Sequence, residues 1–140
     1  MPTRARVALI AAIGIGGGLG AAIRWLAQGA PAVSASGNPW GTFTINVIGC
    51  LLIGGLSAWL SARSWPGNRA DYARALVGVG FLGGFTTFSA YAGETIDLLA
   101  TGSTTMALAY LLGTVVSCLL AVLVGSESVR RLMGARVNQA

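Results

Sequence analysis

Gly83-Gly84-Phe85-Thr86-Thr87-Phe88-Ser89 lies inside an uncharged run that extends from Ala75 to Gly93. A run of about 19 residues is long enough to cross a bilayer as a helix. Yet two glycines, two threonines and a serine crowd its centre. In hydrocarbon every backbone N–H and C=O has to be satisfied, so irregular backbone survives only where protein or a polar cavity surrounds it. The stretch predicts a membrane helix broken at its centre, with a site built around the break.

The rest of the chain fits that reading. Of 140 residues, 54% are hydrophobic and 9% charged, and the mean hydropathy is +0.72. Soluble domains carry about 25% charged residues. The composition predicts an all-α integral membrane protein. Three further uncharged runs, Val7 to Ile23, Gly41 to Leu60 and Met106 to Val124, have spanning length. With borders at arginine, tryptophan and acidic residues, the expected spans are 7–26, 41–62, 75–97 and 104–125, in a single domain over 1–140. Trp25, Trp40, Trp59 and Trp65 mark ends that lie at the headgroup layer. Residues 30–38, 64–71 and 101–105 read as polar connections. The first run, preceded by Arg4 and Arg6, is longer than the 7–15 residues of a signal h-region and is followed by Arg24-Trp25. It is read as a span.

Several chemistries find no support. There is no histidine or lysine, and Cys50 and Cys118 lack the spacing of a metal site, so both are expected to be small buried packing residues. All nine basic residues are arginines flanking apolar runs, so a pI near 10.3 reflects membrane orientation rather than nucleic acid. Gly78-Val79-Gly80-Phe81-Leu82-Gly83 matches GxGxxG by letter only, inside a span rather than at a strand–turn–helix. Gly14/Gly18 and Gly16/Gly20 are spaced for close helix packing. No triad, HExxH or P-loop is present, and the chain is not expected to be an enzyme.

Polar groups recur at membrane depth. Thr42 and Asn46 share a face of span two, and span three carries Thr86, Thr87, Ser89 and Tyr91. Span four carries Tyr110, Thr114, Ser117 and Cys118 as a stripe. Such hydroxyls can simply glue helices. As a set they form a neutral donor track, which holds an anion weakly enough to release it. Phe88 adds a ring edge, the positive end of the aromatic quadrupole.

At these residues the chain resembles the small fluoride channels of the Fluc or CrcB family. The resemblance covers nearly all of the chain. It rests on Gly20-Ala21-Ala22-Ile23-Arg24-Trp25, on Gly41-Thr42-Phe43-Thr44-Ile45-Asn46-Val47-Ile48-Gly49, and on Gly83 to Ser89 with Glu94 beyond. It implies an antiparallel dimer with two fluoride pores at the subunit interface. It also implies one Na⁺ at the dimer centre, held by the backbone carbonyls of Gly83 and Thr86. Asn46, Phe88, Tyr91, Tyr110 and Thr114 are the implied pore positions, with Thr87 and Ser89 beside them. Tyr91 stands where the family has a second pore phenylalanine, which adds a hydroxyl to that contact. The implied activity is passive, fluoride-selective export across the cell membrane.

Two alternatives stay open at this stage. One is a small proton-coupled multidrug exporter, which needs an intramembrane carboxylate; span one has none, and Glu94 falls near an end. The other is an assembly partner that transports nothing. Orientation follows from Arg4, Arg6, Arg63, Arg69, Arg74, Arg130, Arg131 and Arg136 on one side against Arg24 on the other, which places both termini in the cytoplasm. So strong a bias favours one orientation. The dimer partner is therefore either a second copy or a separate, oppositely oriented homologue.

Overall fold

The structure is a computed structural model describing residues 3–29 and 39–137, with side chains described as far as residue 134. Among these residues the chain is helical with no strand. Helix α1 covers Thr3–Gln28 and α2 covers Trp40–Ser61. The third span, Arg69–Ala100, is a composite. It begins as α3 (Arg69–Ala73), widens into a π-helical segment (Arg74–Leu82), tightens in α4 (Gly83–Phe85) and resumes as α5 (Phe88–Ala100). Helix α6, Thr104–Val137, is the longest. All four spans are long and apolar enough to cross a membrane.

α1, the third span and α6 run past the span borders read from the sequence. α6 continues past residue 125 through Glu127 and Arg131, which form an exposed i,i+4 ion pair at 2.8 Å. Charge marks where lipid ends, not where a helix ends, and no proline interrupts 126–137. The turns at 67 and 102 are made by glycines with φ of 59° and 78°, a region that side chains avoid. Residues 30–38, expected as a loop, lie outside the described residues.

Two close crossings organise the bundle. α2 packs most extensively on α6, and α1 on the π-helical segment. At the first crossing a Cβ on Gly54 would strike the Val122 backbone, and one on Gly125 the Leu51 carbonyl. At the second, a Cβ on Gly16 would strike the Leu76 carbonyl and one on Gly20 the Phe81 carbonyl. The carbonyls that face Gly16 and Gly20 of α1, Leu76 and Phe81, are five residues apart, a spacing that wider π turns keep on one face. The two GxxxG pairs therefore divide: Gly16 and Gly20 face the third span, while Gly14 and Gly18 have open space before them.

Gly20→Ala should shift the helix pair apart and lower stability by about 1–3 kcal/mol. Gly14→Ala should be neutral or slightly stabilising. Thermal unfolding of the two variants in detergent checks the contrast; equal midpoints would refute this packing.

Candidate functional site

Thr86 and Thr87 interrupt the third span. Their backbones are extended, at φ −77°, ψ 158° and φ −146°, ψ 122°. Each end of the break is tied off by a threonine. Thr86 N–H and its hydroxyl both donate to the Leu82 carbonyl, at 3.0 and 2.9 Å. The Thr87 hydroxyl accepts from Ala90 N–H at 3.2 Å and so caps α5, and Ser89 Oγ lies 3.2 Å from the same oxygen.

The Thr87 backbone, freed from helical pairing, is captured from α2. Asn46 Nδ2 donates to the Thr87 carbonyl at 3.0 Å, and Thr87 N–H donates to Asn46 Oδ1 at 2.8 Å. Asn46 is 8% exposed, so this two-bond pairing is made away from solvent. The second Nδ2 hydrogen is not used by it. Gly49, one turn on, lies against the Thr86 methyl.

These substitutions release particular carbonyls. In a continuous helix Thr87 N–H would close on the Gly83 carbonyl and Ala90 N–H on that of Thr86. Both donors go elsewhere. The Gly84 carbonyl accepts from Arg24 Nε at 3.2 Å. Gly83 and Thr86 thus have oxygens that have lost their helical partners, and Gly83 is exposed on the surface of this chain.

A cavity of about 330 Å³ opens beside the break. Asn46 and Cys50 line it from α2, Thr86, Thr87, Phe88 and Tyr91 from the third span, and Thr114 and Cys118 from α6. Its hydroxyls differ in availability. Tyr91 OH donates to the Leu111 carbonyl at 2.8 Å and is committed. Thr114 is 4% exposed, and its hydroxyl has no hydrogen-bond partner among the described residues. A buried orphan hydroxyl is uncommon and points to something missing beside it.

Tyr110 does not line this cavity. It stacks obliquely on Tyr91, with ring centroids 5.4 Å apart, and donates to Glu94 Oε2 at 2.6 Å. Thr42 donates to the other Glu94 oxygen, also at 2.6 Å. Glu94, placed near a span end from sequence, instead ties α2, α5 and α6 together. Ser89 is exposed beside the cap, and Phe88 is 79% exposed, 5.6 Å from the Tyr91 ring. Cys50 and Cys118 correct the sequence reading: they are half-buried and line the same cavity, rather than being buried packing residues. Sequence reasoning missed Glu94, the Arg24–Gly84 bond and the thiol pair. Only Glu94 carried a signal, as an acid closing an apolar run.

Four apolar spans, one of them interrupted beside a cavity with neutral donors, define a multi-pass helical membrane protein. Residues 11–126 match the family described as CrcB-like protein, Camphor Resistance (CrcB), and the chain belongs to that family. The fluoride-specific ion channel FluC 2 of Nocardia farcinica is 43% identical over 128 residues, covering 91% of this chain and 89% of its own. The fluoride-specific ion channel FluC of Novosphingobium aromaticivorans is 44% identical, covering 84% and 93%. FluC 1 of Streptomyces coelicolor, named likewise, is 38% identical, covering 93% and 82%.

Asn46→Leu should strand both polar groups of the Thr87 peptide, at about 1–3 kcal/mol for each buried group left unpaired. Amide exchange at 86–90 should accelerate far more than at the α2–α6 crossing. Uniform acceleration, or none, would contradict this role.

Proposed function

We propose that this chain is a fluoride-selective channel that lets fluoride leave the cytoplasm passively and so limits its toxicity. The observation that carries the reading is Thr114, which lines a cavity with Asn46 and whose buried hydroxyl has no hydrogen-bond partner among the described residues. It is joined by the names of relatives that match over most of their length. Those names give the proton-coupled exporter no support. Fluoride, the smallest halide, approaches a hydroxyl or amide donor most closely and gains most from it. Thr114 and the spare Nδ2 hydrogen of Asn46 serve as such donors. Phe88 and Tyr91 offer ring edges, Thr87 and Ser89 shape the turn, and Tyr110 positions Tyr91 from behind.

The proposed assembly is an antiparallel dimer, formed with a second copy or with an oppositely oriented homologue. Gly83 and Phe88 are exposed at a break whose carbonyls lack helical partners. Lipid does not tolerate such a face, so protein has to cover it. The carbonyls of Gly83 and Thr86 suit a hard cation, and Na⁺ would be held there between subunits. It would supply positive charge to gather the two breaks. The proposed location is the cell membrane, with both termini cytoplasmic by arginine bias.

In liposomes containing the purified protein, fluoride efflux should far exceed chloride efflux. Thr114→Val should slow it roughly 5- to 150-fold, the kinetic equivalent of losing a donor worth about 1–3 kcal/mol, while Thr114→Ser retains most of the rate. A fluoride electrode reads both. Comparable rates for the two halides would overturn the assignment.

Prolonged exchange of Na⁺ for a large organic cation should weaken the dimer, and returned Na⁺ should restore it, as followed by size-exclusion chromatography. Indifference to the exchange would remove the cation from the proposal.

A further inference from the structure

Cys50 on α2 and Cys118 on α6 are both free thiols, both half-buried, and both line the cavity that holds Asn46 and Thr114. They belong to one crossing: Cys50 lies one turn before Gly54 and Cys118 one turn before Val122, and a Cβ on Gly54 would strike the Val122 backbone. Their helices are locked by the Gly54–Val122 and Leu51–Gly125 approaches, so the pair is held by rigid elements rather than by loops. Asn46 lies four residues before Cys50, and Thr114 four before Cys118. Each thiol therefore sits one turn along the face that carries a proposed fluoride donor.

Two sulfurs in one cavity with no imidazole or carboxylate among its lining residues are badly suited to hard cations. Among the described residues no group of three or more His, Cys, Asp or Glu could complete a tetrahedral zinc site. Soft d¹⁰ monovalent cations differ, because they accept two thiolates in a linear arrangement. We propose that Cys50 and Cys118 form a two-coordinate site for Cu(I) or Ag(I), and that its occupation closes the anion path.

Binding breaks two S–H bonds heterolytically, forms two metal–sulfur bonds and releases two protons. No electron is transferred. Two neutral thiols and one cation become a bis-thiolate complex with one net negative charge. That charge stands a helical turn from the Thr114 hydroxyl and repels an arriving anion, while the metal occupies cavity space. The closure rests on the channel reading; the metal site does not.

The test uses full-length protein in chloride-free buffer, titrated with silver nitrate. Calorimetry with a pH indicator should show about one Ag⁺ bound per chain and about two protons released. Cys50→Ser and Cys118→Ser should each weaken binding by roughly 100-fold or more, because each leaves a single thiolate. Cys50→Ala and Cys118→Ala should do the same, which guards against a serine variant that folds badly. In liposomes, stoichiometric Ag⁺ should stop wild-type fluoride efflux and excess dithiothreitol should restore it. Each single variant should continue at its own metal-free rate.

No stoichiometric binding by wild type, or wild-type affinity in any of the folded single variants, would overturn the site. Undiminished efflux from fully loaded wild type would overturn the closure. A wild-type protein that carries no fluoride with or without metal would defeat the channel reading, and the binding titration would still decide the site.

Discussion

The pairing of Asn46 with the Thr87 peptide is the contact on which the rest depends. Interrupting a helix inside hydrocarbon exposes several N–H and C=O groups, each costly if left bare. Asn46 takes one N–H and one C=O at once, because a primary amide presents a donor and an acceptor side by side. Once Thr87 is pinned, its hydroxyl is placed to cap α5, and the Gly83 and Thr86 carbonyls lose their helical donors as a geometric consequence. The same residue that fixes the break also faces the cavity. Asn46 therefore both holds the break and lines the cavity, and a substitution there disturbs both.

The same geometry sorts the polar groups that looked alike in the sequence. Tyr91, Tyr110, Thr42 and Thr114 all read as buried donors. Three of the four are committed: Tyr91 to a carbonyl of α6, Tyr110 and Thr42 to Glu94. Those bonds clamp α5 between α2 and α6 and hold the cavity wall. Thr114 alone of the four is left orphaned while buried. A donor already satisfied has to break a bond to greet an ion, whereas an orphan gains one outright. Availability, rather than the presence of a hydroxyl, is what separates scaffold from candidate site.

Legibility followed the range of the forces involved. Span number and position were readable because burial in lipid imposes a length on each apolar run. The interruption was foreshadowed by Gly83 to Ser89, because glycines and hydroxyl residues concentrated mid-span weaken a helix. The partners were not readable. Nothing local says that Asn46 will meet residue 87, or that Glu94 will accept from Thr42 and Tyr110, since these contacts join helices 41, 52 and 16 positions apart. The cysteines were misjudged for the same reason: each has only apolar sequence neighbours, and their shared cavity exists only once α2 and α6 cross. Helix ends were not readable, because charge reports the membrane border and helices continue past it.

Phe88 is where the exposed surface of this chain and the break in the third span meet. Of the cavity's aromatic rings it is the most exposed, at 79%, yet it begins α5 directly after two extended residues. An exposed ring on a lipid-facing helix is ordinary; an exposed ring beside unwound backbone is not, because lipid that reaches the ring also reaches the carbonyls. The open side of the cavity and the bare side of the break coincide here. A single covering surface would solve both problems, completing the wall around Thr114 while screening Gly83 and Thr86. On the proposed reading, conduction along this cavity and association of two subunits would be one requirement and not two.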